Sequence, residues 1–388
     1  MEIVSDMNVL YEAFRASMKS SSWKEEPQRF EANFLSELNA LRIELEEKSY
    51  KTLPGNEFEQ NERGKKRHIH GNRMRDRVVR HALCDKVLGP CLQPYIIYNN
   101  GASQEGKGVD FSRRLFERDL HNYWLEYRTN DGYIAFVDLS KFYDNIRHDV
   151  TKAMICPKID PFSGWLFSNI VDSFQVDVSY MTDEEYSRCL DNKFDSIKYY
   201  ANVPKEARTG EKYMAKSANI GDQTAQNIGV YLPTRIDNYV TIVRGFKRSG
   251  RYMDDMYLIH PDKEYLEETL KGMYEEATRL GFFINQKKTH VCKLSDTYTY
   301  LQFKYYLTDT GKVVKRINPK SVTRQRRKLK KYHNLWSKNV VSYETVKQEY
   351  KSWMGRYAKY MSKAQIRHMK ELYQYLFKED VRWKENTP

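Results

Sequence analysis

The spacing of apolar residues divides the chain into helical, strand-bearing and again helical stretches. Met7, Leu10 and Phe14, then Phe30, Phe34, Leu38, Leu41 and Leu45, recur every three or four positions and predict helices over residues 1–60. Leu53 to Gly64, which contains Pro54 and two glycines, predicts a loop. "DRVVRHALCDKVLGPCL" predicts an amphipathic helix ending near Gly89-Pro90. "GYIAFVDLSKFYDNI" predicts a strand from Tyr133 to Val137 that gives way to a polar turn at Asp138. Residues 150–218 carry no sustained period. A helix is expected over Gly221 to Tyr239, then a strand, a turn and a strand in "GRYMDDMYLIH". Tyr265, Leu266, Leu270, Met273, Ala277 and Leu280 predict a helix stopped by Gly281. "FFINQKKTHVCKL" and "YTYLQFKYYLT" are strand candidates. Three helical stripes follow, from Val322 to Trp336, Val346 to Met361 and Ile366 to Leu376, with Ser362 and Gln365 spaced as a capping box.

Charge adds to this pattern. The chain of 388 residues has 65 Lys plus Arg against 52 Asp plus Glu, a formal charge of +13. The excess is clustered: Lys312 to Lys331 holds ten basic residues and no acid, and Arg63 to Arg80 holds eight opposed only by Asp76. Clustered positive charge beside aromatic residues is the footprint of a polyanion partner such as nucleic acid. The five cysteines have no paired or zinc-type spacing, and no apolar run reaches membrane-spanning length, so reduced thiols, no membrane and a cytoplasmic location are expected.

The adjacent aspartates Asp254 and Asp255 sit between two apolar strands, and Asp138 lies just past the end of another. If those strands neighbour each other, three carboxylates converge at one sheet edge. Such hard oxygen ligands suit Mg²⁺, which shares its shell with water and substrate phosphates. Two such ions serve nucleotidyl transfer. An Asp-Asp pair alone is a weak signal, and the order of the surrounding segments strengthens it. "FVDLSKFYDNI", "NIGDQTAQNIGVYLPTRID", "RYMDDMYLIH", "LGFFINQKKT" and "YLQFKYY" resemble, in order and spacing, palm motifs A to E of reverse transcriptases. "RHIHGNRMRDRVVRHAL" resembles the fingers motif of the bacterial, group-II-intron-like branch. The resemblance covers about residues 60–310.

The resemblance implies an α+β right-hand polymerase fold: an N-terminal helical extension over residues 1–60, fingers over 61–132, palm over 133–311 and a three-helix thumb over 312–388. It implies Asp138 and Asp254 as metal ligands, with the Leu139 carbonyl helping and Asp255 beside them, for two Mg²⁺ ions or Mn²⁺ in their place. Tyr143 matches the residue that excludes a 2′-OH, which implies dNTP substrates. Arg67 with Lys65 or Lys66 matches the cations on the triphosphate, and Gly221 and Gln226 belong to motif B beside the nascent base pair. Lys288 matches the motif D lysine, a general acid for pyrophosphate. The basic helix from Ser321 to Tyr332, with Arg324, Arg327, Lys328 and Lys331, would bind the RNA/DNA duplex. Trp336, Trp353 and Tyr357 are expected in the thumb core.

Motif B departs from the intron pattern: Ile220, Gly221, Ala225 and Gln226 give IGxxxAQ in place of QGxxxSP. A related pattern marks diversity-generating retroelement enzymes, and the same branch includes defence-associated enzymes. The expected function is RNA-directed DNA synthesis on a cognate structured non-coding RNA, with a cDNA product, in antiphage defence or in adenine-mutagenised diversification. A bacterial or phage-encoded chain with an accessory protein or a homo-oligomer is compatible with this reading. An RNA-binding module without catalysis is the alternative from a different class.

Overall fold

The protein, described from a computed structural model over residues 2–19, 21–62, 64–197 and 203–379, is a mixed α+β chain with antiparallel sheets. In chain order the strands are β1 (Asn56–Glu62), β2 (Lys65–Gly71), β3 (Tyr133–Asp138), β4 (Val176–Asp177), β5 (Tyr213–Met214), β6 (Ser249–Tyr252), β7 (Asp255–His260), β8 (His290–Lys293), β9 (Tyr298–Tyr300), β10 (Phe303–Leu307) and β11 (Val313–Ile317). The chain forms two compact units, Met1–Ser112 with Ala135–Val291, and Arg113–Ile134 with Cys292–Pro388. No helix among the described residues is long and apolar enough to cross a membrane.

The first unit is organised around a sheet of order β6-β7-β3-β8. β3 reads YIAFVD, and all but its first residue are buried. A continuous apolar run of this kind suits an interior strand covered on both faces. β6 and β7 pair with Tyr252 opposite Asp255, which leaves Met253 and Asp254 as a two-residue turn. Met253 has φ +55, a positive angle at the first turn residue as in a II′ hairpin. The helix Lys263–Arg279 follows, buries Leu266, Leu270, Met273 and Ala277, and starts on the Asp262 cap. Gly281, at φ +78, ends it as expected.

Two buried ion pairs fasten the first unit, one joining a strand of this sheet to a helix and the other joining two helices. The Arg251 guanidinium on β6 binds both carboxylate oxygens of Asp237 at 2.7–2.9 Å and the Val230 carbonyl at 2.7 Å. Asp222 caps the helix Gln223–Tyr231 through the amides of Thr224 and Ala225. Its second oxygen accepts from Arg80 and from Asn72 Nδ2, the latter at 2.7 Å. Both pairs are almost wholly sequestered from water.

The N-terminal periodicity corresponds to the helices Met7–Met18, Glu25–Ala32 and Phe34–Glu46. Phe14 and Phe34 stack with rings 3° from parallel. Several segments depart from expectation, among them "FFINQKKTHVCKL", which is a strand only over His290–Lys293. Residues expected as a loop form β1, paired with β2 throughout from Asn56↔Gly71 to Glu62↔Lys65. The helix Met74–Leu83 continues through a π turn into Gly89–Leu92, because Pro90 falls at the start of that last short helix, where its missing N–H costs nothing. The helix expected over Gly221 to Tyr239 is broken at Pro233 into Gln223–Tyr231 and Thr234–Asn238. Residues 150–218 hold the helices His148–Ile155, Pro161–Asp172 and Asp183–Asp191 and the short β4–β5 pair.

In the second unit β9, β10 and β11 form an antiparallel sheet. "YLQFKYY" is therefore a hairpin: Leu301 and Gln302, at φ +41 and +77, form the turn between β9 and β10. Phe116, on the helix Val109–Tyr127, packs its ring 4.5 Å from that of Tyr300 and 5.0 Å from that of Tyr305. The helices Pro319–Ser337, Tyr343–Tyr357 and Lys363–Phe377 enclose a separate core of Leu329, Val346, Tyr350, Met354, Met369 and Tyr373. Trp336, Trp353 and Tyr357 pack against it, and the Ser362/Gln365 capping box forms.

Candidate functional site

β3 and the β6–β7 turn bring Asp138 and Asp254 to one cavity of about 540 Å³. The main chain fixes their relation: the Leu139 amide donates to the Asp254 carbonyl at 3.2 Å. Leu139 forms an antiparallel bridge with Ile284 in which the flanking groups carry the hydrogen bonds, Ser140 N to Phe283 O and Asn285 N to Asp138 O. N–H and C=O of one extended residue point the same way, so the Leu139 carbonyl is turned toward the hairpin as well. The Asp138 carboxylate, largely buried, accepts from Lys288 Nζ through one oxygen and from Asn285 Nδ2 at 3.2 Å through the other.

Tyr143, Arg67, Ile220 and Lys66 line the same cavity. Burial pushes the Tyr143 phenol up to about 12; the Asp254 charge adds to the rise and the Arg67 charge opposes it. The ring is thus neutral, within electrostatic reach of both groups, and its hydroxyl lies 4.0 Å from Met253 Sδ. Arg67 holds Glu62 at 2.9 Å and Lys66 holds Glu59 at 3.2 Å across β1–β2. The side chain of Lys65 lies outside the described residues. On the cavity wall, burial raises the Asp144 carboxyl, while the Ser196 hydroxyl donates to it at 2.7 Å. Sequence reasoning passed over both Asp144 and Asn285, because neither has a distinguishing local pattern.

Asp255, Gly221 and Gln226 are not among the residues that line the cavity. Asp255 is exposed at the first position of β7 and Gln226 is exposed on its helix. Gly221, at φ +101, turns the chain from the cavity wall into the Asp222 cap, a conformation in which a side chain would be strained. Glu57, His68 and His70, not singled out in the sequence, face one another on the β1–β2 hairpin, and the two histidines line the cavity. The signal was present as alternation: residues two apart on a strand share a face.

Oxygen donors from Asp138, Asp254 and the Leu139 carbonyl could hold Mg²⁺, which prefers such hard ligands. The Lys288 ammonium neutralises the Asp138 carboxylate here and would have to move aside for a metal ion to take that oxygen.

Beneath the cavity His148 is buried, with Nε2 2.8 Å from the carbonyl of Ser217, itself a lining residue. Burial lowers its pKa from 6.5, so the neutral ring donates Nε2–H. The unfolded chain takes up this proton first, so stability is lost as pH falls below about 6.5 toward the depressed folded value. Thermal denaturation between pH 7.5 and about 5.5 should show that loss, and His148→Gln should flatten the part of the slope that belongs to this ring.

In the second unit Arg324, Arg327, Lys328 and Lys331 are exposed on the helix Pro319–Ser337, while Val322, Gln325 and Leu329 are buried on its other side. Lys328 is held by Glu349 at 2.6 Å. No family model matches the chain, and no curated protein matches it in sequence.

Proposed function

We propose that the chain is an RNA-directed DNA polymerase whose active centre is the cavity between β3, the β6–β7 turn and the β1–β2 hairpin. The observation that carries this reading is the convergence of Asp138, Asp254, Tyr143 and Arg67, distant in sequence, on one cavity. Asp138 and Asp254 would hold the Mg²⁺ ions, which would supply activation of the attacking hydroxyl and charge neutralisation at the leaving phosphate. Arg67 and Lys66 bind and orient the triphosphate; the guanidinium can exchange its Glu62 partner for phosphate oxygens in a two-pronged contact. Lys288, paired with Asp138 in this structure, would on release deliver a proton to departing pyrophosphate. Tyr143 presents a neutral ring against the sugar, and Ile220 replaces a hydrogen-bonding side chain with an apolar one in the cavity wall.

Purified protein given Mg²⁺, dNTPs and an RNA template annealed to a DNA primer should extend the primer. No extension with Mg²⁺ or Mn²⁺ on any primer, including the 3′ end of the RNA itself, overturns the reading. Tyr143→Ala should reduce discrimination against rNTPs by about 10²-fold, the scale of one lost steric contact in a pocket. Selectivity equal to that of the unaltered protein would remove Tyr143 as the sugar gate.

The exposed basic face of the helix Pro319–Ser337 would contact the phosphate backbone of the template duplex. Arg324→Glu with Arg327→Glu should weaken RNA binding and reduce the slope of log affinity against log salt by about 0.7–0.9 per lost phosphate contact. An unchanged slope would assign binding to another surface.

A further inference from the structure

The β1–β2 hairpin gathers a second set of ligands that the polymerase reading does not use. Glu57 and His70 are directly opposite in the antiparallel register, and His68 lies two residues before His70 on the same face of β2. Glu57 Oε1 is 3.4 Å from His70 Nδ1, and Oε2 is 3.5 Å from His68 Nε2. The imidazole centroids are 4.5 Å apart, and the three ligand atoms all lie within 4.8 Å of one another. Both imidazoles hydrogen-bond to the Glu57 carboxylate. The two Glu57–histidine separations, each to a different carboxylate oxygen, are near the edge of a tetrahedron around zinc, about 3.3 Å for bonds of about 2.0–2.1 Å.

We propose that Glu57, His68 and His70 form a binding site for a zinc-class divalent ion, with its open coordination position directed to the cavity and suited to a phosphate oxygen. Two imidazoles and one carboxylate favour Zn²⁺ over Mg²⁺, because nitrogen donors bind the softer ion and Mg²⁺ selects oxygen. Three protein ligands leave a fourth position, the arrangement of exchangeable rather than closed zinc sites. His68 and His70 belong to the cavity wall, which orients that position. Lys66 and Arg67, which precede His68 on β2 and line the same cavity, add positive charge for an anionic ligand. The site stands on the hairpin's own geometry, whether or not the chain polymerises DNA.

The experiment titrates Co²⁺ and Zn²⁺ into metal-free full-length protein with Mg²⁺ in large excess, reading the visible absorption of Co²⁺ and the heat of Zn²⁺ binding. One equivalent should bind, with the intense Co²⁺ absorption of a four-coordinate site. His68→Ala and His70→Ala should each weaken binding at least 100-fold, and Asp254→Ala should leave it unchanged. β1 is exposed along its whole length, so the hairpin variants should fold, and His68→Gln with His70→Gln provides a second pair of closer size. Addition of pyrophosphate should shift the Co²⁺ spectrum. Failure to bind, or binding unaltered in the histidine variants, overturns the site; a spectrum indifferent to pyrophosphate overturns the open position. Primer extension is not the readout, so loss of this proposal and loss of the polymerase reading are separable.

Discussion

Asp254→Ala is expected to lower Mg²⁺-dependent DNA synthesis by at least about 10³-fold while leaving the thermal midpoint nearly unchanged. Loss of a single preorganised donor to a developing oxyanion already costs about 10²–10³ in rate, and a lost metal ligand removes more than one such interaction. Asp254 is half-buried in a turn, and its main-chain contact to Leu139 survives truncation of the side chain. Asp138→Ala should abolish synthesis as well, but it also strips Lys288 and Asn285 of their shared acceptor. Single-turnover incorporation, measured with circular dichroism on the same preparation, checks both. Synthesis by Asp254→Ala within tenfold of the unaltered protein would take this carboxylate out of the chemistry.

Asp237→Ala is expected to destabilise the first unit by about 3–5 kcal/mol, the cost of leaving one partner of a buried ion pair charged and unmatched. For a unit of this size that corresponds to a fall of roughly 10 °C in Tm. Arg251, 1% exposed, would lose its paired acceptor and keep only main-chain carbonyls. The same guanidinium anchors the strand that leads into the Met253–Asp254 turn, so activity should fall before global unfolding begins. Asp222→Ala should match it in size, because Arg80 and Asn72 both converge on that carboxylate. Calorimetric or fluorescence melting decides: a loss below about 1 kcal/mol for either variant would mean that water or a neighbour replaces the missing oxygen.

The parts legible in the sequence are those whose local pattern already contains the physical cause. β3 announces itself as an apolar run that stops at an acid, and β7 as the run Met256 to Ile259 that follows one, whereas β6, Ser249–Tyr252, has no apolar run of its own. The C-terminal helices are legible from period and caps, and their stripes are the core of that region. β1 was hidden because it has no apolar face: all seven residues are exposed. Its support comes from cross-strand partners such as Glu62 with Arg67 and Glu59 with Lys66, which no window of local propensity contains. Gly55 was readable only as a breaker, yet a Cβ there would lie 2.2 Å from the Gly71 carbonyl oxygen, so it permits the hairpin to close. The β9–β10 turn was missed because Leu301 and Gln302 lack turn chemistry; the Arg113 guanidinium donates to the Leu301 carbonyl at 2.7 and 3.1 Å and holds them there.

In the site, Asp138, Asp254, Tyr143 and Arg67 were legible through motif order and share the cavity wall. Asn285 and the Glu57/His68/His70 group were not, since their meaning depends on strand register and on segments that meet only in the folded chain.

The interleaving of the two units also constrains synthesis on the ribosome. The helix Val109–Tyr127 begins at the end of the first unit's first segment and continues into Arg113–Ile134, whose partners in the second unit start only at Cys292. At about 5–20 residues per second, the translating chain leaves that segment waiting for roughly 10–30 s, while the rest of the first unit is still being made. During that interval Phe116 and Leu120, both fully buried in the finished protein, have no sheet to cover them. Slow translation upstream of Cys292 would therefore prolong the exposure of these apolar side chains rather than relieve it.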